Sequence, residues 1–304
     1  MTRTLRSPYA LAVVGGIALD QLFGEPPSAL HPLVYFGRAM SALEKRIYAD
    51  SRAAGVSHAL WGSALGVVAG RVVSSSAVAT GISVGARALR SAAREVDVAL
   101  ADGDLPRARE LLPNLVGRDP SDLDANEIAR AVVESVAENT VDAVVAPALW
   151  GAVAGAPGAL GYRAVNSLDA VVGHHSPRYE NYGWASAHLD DVVNFVPARV
   201  TAALVALVRP NTAGRVARAV TSQAPEHPSP NAGVAEAAFA AALGVTLGGA
   251  NRYGERVEVR PALGFGRPAR ASDIARAIAL SRDVTAALAL TLGALGLALR
   301  GATR

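Results

Sequence analysis

Acidic and amide side chains are concentrated in two stretches of this sequence, each bordering an apolar segment. The first stretch carries Glu134, Glu138, Asn139 and Asp142, with the three carboxylates four residues apart along one helical face. Like charges on one face repel each other unless a cation lies between them. Glu138, Asn139 and Asp142 border an apolar run, which indicates a role in binding Mg²⁺ or substrate. Glu134 alone is better explained as part of a solvated face neutralised by Arg130.

The second stretch begins with a motif similar to part of the first. Asn139-Thr-Val-Asp142-Ala-Val-Val recurs as Asn166-Ser-Leu-Asp169-Ala-Val-Val. In each copy an amide and a carboxylate lie three residues apart, and so share one face of a helix. The similarity is either chance, in a chain rich in Ala and Val, or a repeated element of a site.

More potential ligands follow in the same stretch. Asp190, Asp191 and Asn194 are spaced so that, on a helix, the amide lies near both carboxylates. Oxygen ligands of this type suit a hard cation such as Mg²⁺ carried by a nucleotide. His174 and His175 raise zinc as an alternative, but the chain has no HExxH or comparable spacing to support it.

Two later segments combine turn residues with polar side chains. In His227–Gly233 two prolines fix the backbone, Asn231 is suited to cap a helix, and Glu236 falls inside the helix that follows. The glycine-rich segment Gly248–Gly254 predicts a turn whose backbone could approach a phosphate closely. By itself this second pattern is a weak indication of a site.

The elements that must position these residues are predicted to be membrane helices. Hydrophobic residues make up 51% of the 304 residues and charged residues only 18%, against about 25% in soluble domains. We expect an all-α, polytopic helical membrane protein with four or five spanning or re-entrant helices. A large soluble helical protein with Ala- and Val-rich core helices is the alternative. The charge-free stretches are Ser7–Leu19, Ala53–Gly70, Val72–Ala86, Ala143–Tyr162 and Val284–Leu299.

We expect residues 1–304 to form a single integral membrane domain. The first apolar segment is predicted to be a retained helix, because no convincing cleavage site follows it. Asp104 and Pro106 predict a helix start, and a further helix is expected near Ser121. Polar segments are expected at about 24–52, 87–140, 163–191 and 209–283, the last of them rich in loops.

Several kinds of chemistry are excluded by composition. The chain has no cysteine, so thiolate and thioester chemistry is ruled out. Lys45 is the only lysine and no GxxxxGK[ST] motif occurs, so phosphates would be bound by arginine, backbone N–H groups and a metal ion. The net charge is only +3, and aromatic residues do not alternate with the basic residues. This argues against nucleic acid as a partner.

Taken together, these segments resemble the cobalamin biosynthesis proteins called CobD or CbiB. The resemblance covers nearly the whole chain in the same order, with small departures at Pro120 and at the short first apolar run. It rests on Asp20-Gln-Leu-Phe-Gly-Glu-Pro26, Glu134-Ser-Val-Ala-Glu-Asn-Thr-Val-Asp142, Tyr162-Arg-Ala-Val-Asn-Ser-Leu-Asp169, Gly173-His-His-Ser-Pro-Arg-Tyr179, Asp190-Asp-Val-Val-Asn-Phe-Val-Pro-Ala-Arg199, His227-Pro-Ser-Pro-Asn-Ala-Gly233 and Gly249-Ala-Asn-Arg-Tyr-Gly254.

The resemblance implies adenosylcobinamide-phosphate synthase activity in a bacterial inner membrane. Adenosylcobyric acid would be joined to (R)-1-aminopropan-2-ol or its O-phosphate, with ATP and Mg²⁺ as co-substrate and the corrinoid as substrate rather than prosthetic group. The site is expected on the cytoplasmic face. Membrane lipid and other late enzymes of the pathway are the expected partners. A transporter, or a non-catalytic membrane tether for pathway enzymes, is the alternative function.

Residue roles are inferred from chemistry. Mg²⁺ is assigned to some subset of Glu138, Asp142, Asp169, Asp190 and Asp191. These five carboxylates, with Asn139, Asn166, His174 and His227, form the candidate catalytic set, in which either histidine could remove the ammonium proton. Candidate residues for binding substrate or phosphate are Arg178, Tyr179, Asn194, Arg199, Asn231, Asn251 and Arg252.

Overall fold

The structure is a computed structural model that describes residues 7–26, 29, 31–174, 176–253 and 256–302. The chain divides into two compact units. The first contains Met1–Gly85, Asp142–Asn194 and Ala289–Arg304, and the second contains Ala86–Val141 and Phe195–Leu288. Each unit therefore combines segments that are distant in sequence.

The part of the chain that the structure describes contains twelve α-helices and three strands. The helices are α1 Ser7–Phe23, α2 Pro32–Ile47, α3 Arg52–Val73, α4 Ser76–Ser83, α5 Ala86–Ala101, α6 Leu105–Leu111, α7 Ala125–Thr140, α8 Ala146–Leu168, α9 Trp184–Val208, α10 Ala213–Ser222, α11 Ala232–Leu243 and α12 Ser272–Gly301. The strands are β1 Val245–Tyr253, β2 Arg256–Leu263 and β3 Arg267–Pro268. Two π-helical segments, Val141–Val145 and Asp169–Gly173, follow α7 and α8.

Four helical segments are long and apolar enough to cross a membrane. They are α3, the run Ala125–Gly173, α9 and α12. A bilayer core is crossed by about 20 apolar residues in a helix, so these lengths are sufficient. The prediction of a polytopic helical membrane protein with four or five membrane helices is confirmed, with α1 and α11 as shorter apolar helices.

A row of glycines brings α3 close to α8 in the first unit. A Cβ atom added to Gly66 would lie 2.5 Å from the Cβ of Ala164 and 2.8 Å from the carbonyl oxygen of Leu160. At Gly70 an added Cβ would lie 2.4 Å from the Cα of Pro157. Small residues at four-residue spacing let apolar helices approach closely, which is the main source of packing energy between membrane helices.

The second apolar helix, expected across Val72–Ala86, is shorter than its apolar stretch. Ser74 adopts a left-handed backbone conformation (φ 56°) and ends α3, so α4 begins only at Ser76. Its eight residues cannot cross a membrane alone. Instead α4 packs against α1 and α8, and a Cβ added to Gly16 of α1 would lie 2.5 Å from the Cβ of Thr80.

A kink interrupts α8 near its middle. Gly155 has φ 67° and ψ −150°, a conformation that L-residues rarely adopt, and Pro157 follows it inside the helix. Proline cannot donate the helical hydrogen bond and its ring displaces the preceding turn. The axis of α8 therefore changes direction at the kink, and the polar C-terminal half, which includes Asn166, points in a different direction from the N-terminal half.

Local signals explain where the helices of the second unit begin. Asp104 caps α6 by accepting the Arg107 N–H, as the sequence predicted. The helix expected near Ser121 begins later, at Ala125, because Asp124 and Glu127 form a capping box there. Helix α7 then packs against α5, α11 and β1.

In its described residues, the segment 209–283, expected to be rich in loops, contains α10, α11, the first part of α12 and a three-stranded sheet as well as turns. The strand order is β2-β1-β3, with β2 antiparallel and β3 parallel to β1. A bulge between Leu247 and Gly249 interrupts the pairing of β1 with β2. The sheet packs against α11, and its glycines and prolines concealed it in the sequence.

We predict that Gly66→Val lowers the stability of the protein by about 1–3 kcal/mol, because the added side chain overpacks the contact between α3 and α8. Thermal unfolding in detergent, followed by circular dichroism, measures this change. Gly37→Ala in α2 is the matched control, since nothing lies within 4 Å of a Cβ added there. Equal midpoints for the two variants would contradict the close approach at Gly66.

Candidate active site

The centre of the second unit is the buried carboxylate of Glu134, which is 3% exposed. Its Oε2 accepts a hydrogen bond from Arg118 Nη2 at 2.5 Å. Its Oε1 accepts from Arg130 Nη1 at 3.2 Å and from the backbone N–H of Gly248 at 2.9 Å. The expectation of a solvated Glu134 is therefore wrong, although Arg130 does neutralise it. Burial is tolerated because both oxygens have charge-assisted donors.

The bulge in β1 supplies one of those donors. Gly248 has φ 87°, and a Cβ added there would lie 2.0 Å from the carbonyl oxygen of Pro261. Only glycine fits this position without distortion. The predicted glycine-rich turn is thus a strand bulge, and the N–H of Gly248 binds the internal anion Glu134.

Asn251 holds the two arginines in place. Its Oδ1 accepts hydrogen bonds from Arg118 Nη1 and, at 3.0 Å, from Arg130 Nη1. Arg130 also donates to the carbonyl oxygens of Gly248 and Ala250. Asn251 is only 2% exposed, so the structure shows it bound to protein groups. The side chain of Arg252, also expected to bind phosphate, lies outside the described residues.

Glu236 is the second buried carboxylate of this cluster and is fully enclosed by protein. Within the described chain, neither of its oxygens accepts a hydrogen bond. Arg260 Nη1 lies 3.6 Å from Glu236 Oε1, and His227 Nε2 lies 3.8 Å from it. Burial, reinforced by the carboxylates of Glu134 and Glu138, raises the pKa of Glu236 well above its ordinary value.

His227 lies beside Glu236 with its ring held by the local turn. The Ser229 N–H lies 3.1 Å from Nδ1, and the ring is 7% exposed. Burial lowers the pKa of His227 below its ordinary value. The neutral ring is therefore favoured, as a group that accepts a proton near neutral pH must be.

The remaining candidates of α7 differ in their surroundings. Glu138 is partly exposed and lies close enough to Glu236 to act on its pKa. Asn139 donates from Nδ2 to the carbonyl oxygen of Ser135 at 3.0 Å and to its hydroxyl at 3.2 Å. The amide of Asn139 therefore serves its own helix.

A separate polar network lies in the first unit, around Asp190. Its carboxylate accepts from Asn194 Nδ2 at 2.9 Å and from Asn166 Nδ2 at 3.3 Å. The Tyr162 hydroxyl donates to Asn194 Oδ1 at 2.9 Å, and Arg163 Nη1 donates to Asn166 Oδ1 at 3.2 Å. The predicted neighbourhood of Asn194 and Asp190 is present, and Asn166 joins it from α8. Asp191 is half-buried beside this network.

The repeated motif coincides with a repeated backbone feature. Asp142 lies in the π-helical segment Val141–Val145, and Asp169 begins the segment Asp169–Gly173. Such segments are rare in proteins and are frequent at functional sites. The two copies differ in their amides, because Asn139 bonds within its own helix whereas Asn166 bonds to α9.

Arg178 and Tyr179 share a partner that the sequence did not indicate. Arg178 Nη2 donates to Glu44 Oε1 at 2.9 Å, and the Tyr179 hydroxyl donates to the same oxygen at 3.1 Å. The guanidinium lies 4.0 Å from the ring centroid of Tyr48, with half of the Arg178 side chain exposed. His174 is exposed and packs edge-on against Tyr179. The exposed guanidinium remains available to an anionic ligand.

Arg199 and Asn231, both candidates for substrate binding, bind each other. Arg199 Nη1 donates to Asn231 Oδ1 at 3.2 Å and to the carbonyl oxygen of Phe195 at 2.8 Å. Asn231 does not cap α11 with its side chain as expected. The Ser229 hydroxyl performs this function instead, accepting from the N–H groups of Asn231 and Ala232.

Among the described residues, no three His, Asp or Glu side chains converge as a metal site. The Mg²⁺ that the sequence analysis assigned to five carboxylates is therefore not held by a preformed all-protein cage of these side chains. Mg²⁺ in enzymes is commonly bound by one or two carboxylates together with substrate phosphates.

Arg118 and Glu44 were missed by the sequence analysis, and Glu236 was noted inside a helix but left out of the candidate set. A signal existed for Glu236, because it is the only charged residue in α11, and a charge in an apolar helix is usually paired or functional. No local pattern marks Arg118 or Glu44, since their partners lie far away in the sequence.

We predict that Glu134→Ala destabilises the protein by about 3–5 kcal/mol, because it leaves the buried Arg118 without its counter-charge. Unfolding by denaturant in detergent measures the change. Glu110→Ala removes a carboxylate from the exposed ion pair with Arg107 and is expected to cost about 0–1 kcal/mol. A Glu134 variant as stable as the Glu110 variant would refute this role.

We also predict that Glu236→Gln becomes progressively more stable than the unmodified protein as the pH rises from 5 to 8. A carboxyl group whose pKa is raised by folding stabilises below its unfolded pKa, and this stability is lost as the pH rises through the folded pKa. Glutamine is not subject to this loss. Thermal midpoints across the pH range test the effect, with the exposed Glu226→Gln as control. Parallel curves for all three proteins would contradict it.

Comparison with known proteins shows the family of this chain. A family model described as CobD/Cbib protein matches residues 13–281. A cobalamin biosynthesis protein CobD from Mycobacterium tuberculosis (strain CDC 1551 / Oshkosh) is 46% identical over 294 residues, covering 92% of this chain and 94% of the relative. Proteins of the same name from Rhodobacter capsulatus and Geobacter metallireducens are 39% and 42% identical, covering 94% and 83% of this chain and 96% and 85% of their own lengths. No solved structure matches. The chain belongs to the CobD/Cbib protein family.

Proposed function

We propose that this chain acts in cobalamin biosynthesis as an ATP-dependent amide ligase. It joins the propionate carboxyl of adenosylcobyric acid to (R)-1-aminopropan-2-ol or its O-phosphate, which makes adenosylcobinamide or its phosphate. The observation that carries this proposal is the match to relatives named cobalamin biosynthesis protein CobD over most of the chain. The corrinoid is the substrate and is not held as a prosthetic group.

The chemistry requires activation of the carboxylate, because a carboxylate does not react with an amine at neutral pH. ATP transfers its γ-phosphoryl group to the carboxylate oxygen, forming an acyl phosphate and ADP. The amine then attacks the acyl carbon, inorganic phosphate leaves, and the amine loses a proton. The composition supports an acyl phosphate over an enzyme thioester, since the chain has no cysteine.

Phosphoryl transfer depends mainly on positioning and on neutralising charge. We assign the Mg²⁺ that accompanies ATP to the network around Asp190 and Asp191 in the first unit, with Asp142 and Asp169 of the same unit as the further candidates. Glu138 lies in the second unit and is not assigned to this Mg²⁺. Support comes from the two amide donors that fix the Asp190 carboxylate. A fixed carboxylate loses little entropy when it binds a cation.

The half-exposed Arg178 is assigned to a phosphate, either of ATP or of the aminopropanol phosphate. Support for this role comes from Glu44 and Tyr48, which hold its guanidinium in one orientation. A planar guanidinium can bind phosphate through two parallel hydrogen bonds. Arg199 and Arg252 are further candidates. His227, or His174, takes the proton that the amine loses.

We propose that the protein lies in the cell's inner membrane with its site on the cytoplasmic face, since ATP is available there. The four apolar helical segments support a multi-pass location. Contacts with membrane lipid follow from that location. Other late enzymes of cobalamin biosynthesis are proposed partners.

The test uses purified protein in nanodiscs, supplied with adenosylcobyric acid, MgATP and aminopropanol O-phosphate. We expect the amide product and ADP to appear in equal amounts, as followed by mass spectrometry and an ADP assay. Binding of the corrinoid without product would refute the ligase. Flux of a corrinoid across vesicles without ATP cleavage would indicate a transporter instead.

We predict that Asp191→Asn abolishes turnover, because an amide cannot replace a carboxylate as a Mg²⁺ ligand without loss of charge. Membrane insertion and the thermal midpoint should be retained, since asparagine has nearly the same shape. The exposed Asp102→Asn serves as control and should turn over at the normal rate. Normal turnover by the Asp191 variant would exclude this residue from the reaction.

A further inference from the structure

The two buried carboxylates of the second unit have contrasting surroundings. Glu134 accepts three hydrogen bonds, from Arg118, Arg130 and the N–H of Gly248. Glu236 is at least as deeply buried, but no donor of the described chain lies within hydrogen-bonding distance of its oxygens. A buried carboxylate without donors is costly. A ligand that supplies donors would remove this cost.

Glu138 shares this lack of donors. It lies one helical turn after Glu134, and in the described part of the chain it makes no hydrogen bond. Unlike Glu236 it is partly exposed. Because α7, which carries Glu138, packs against α11, which carries Glu236, a ligand that reaches Glu138 from outside approaches Glu236 as well.

The charges of the described side chains indicate which ligand fits. The carboxylates of Glu134, Glu138, Glu236 and Glu258 lie near the guanidinium groups of Arg118, Arg130 and Arg260. When a cationic ligand binds and Glu236 gives up its proton, four negative groups face three positive groups, which leaves one negative charge, with His227 neutral. A single positive charge that carries several N–H donors would balance it.

We propose that Glu236 and Glu138 form the binding site for the protonated amine of the acceptor substrate. This proposal rests on the ligase function proposed above and assigns its ammonium group to a place in the second unit. An ammonium carries one charge and three donors, which matches one excess negative charge and two carboxylates without donors. A divalent cation would overcompensate the charge, and a phosphate would be repelled by the carboxylates.

His227 and Arg260 act as positioning residues for Glu236. Their nitrogens lie 3.8 Å and 3.6 Å from Glu236 Oε1, too far for a hydrogen bond. The positive charge of Arg260 is near enough to favour the ionised carboxylate. The Ser229 N–H fixes the ring of His227 by donating to Nδ1. Both groups therefore lie beside the carboxylate and leave its oxygens to accept hydrogen bonds from the ammonium.

The experiment compares Glu236→Gln with the unmodified protein in nanodiscs. The variant is expected to raise the KM for aminopropanol phosphate about 10- to 100-fold, as loss of a hydrogen bond to a charged group would. The KM for MgATP should stay within about twofold. Glu138→Gln tests the second carboxylate in the same way, and it keeps the test decisive if the Glu236 variant does not fold. Glu226→Gln, on the exposed surface, is the matched control.

A calorimetric comparison separates this inference from the ligase proposal. The unmodified protein should bind aminopropanol phosphate more tightly than propanediol phosphate, which has a hydroxyl in place of the ammonium. Glu236→Gln should abolish this preference. If the preference is unchanged, or if the KM for MgATP rises instead, the ammonium site is refuted even though ligation proceeds. If the unmodified protein binds the amine but makes no amide, the ligase fails while the site stands.

Discussion

A carboxylate enclosed by protein needs hydrogen-bond donors, and Glu134 obtains them from three separate parts of the second unit. Arg118 precedes α7, Arg130 lies one turn before Glu134 on α7 itself, and Gly248 belongs to the sheet. Removing any of these donors would weaken the compensation of a charge that lies in a medium of low dielectric constant. Asn251 reinforces the same arrangement by holding both guanidinium groups. The β-bulge, the segment before α7 and α7 itself are thus linked through one anion.

The same environment gives Glu236 a different character. It lies in an apolar helix near Glu134. Its oxygens accept no hydrogen bond from the described chain, and Arg260 lies nearby without donating one. Glu134 consequently serves the fold, whereas Glu236 is suited to a ligand. In the first unit Asp190 is intermediate, because two amides fix its carboxylate but neither carries a positive charge.

Membrane helices could be predicted because charge depletion is a property of each segment alone, as in α3 and α12. The cap at Asp104 and the neighbourhood of Asn194 and Asp190 are also local, so spacing was sufficient to predict them. The sheet was missed because its bulge and its prolines resemble loop signals. The burial of Glu134 was missed for another reason, since it depends on the distant Gly248. Spacing along one helix cannot show what the rest of the chain brings to it.

Helix α3 has its smallest residues on the face toward α8 and its largest on the face away from it. Glycines form the inner side, while the outer side exposes Val56, Leu60, Trp61, Leu65, Val68 and Val72. This is the reverse of a helix in a water-soluble protein, whose bulky apolar residues point inward. The bulky apolar side chains of α3 lie on its exposed face, and in water this face would drive aggregation. A water-soluble redesign would therefore replace the outer residues with polar ones and leave every glycine unchanged.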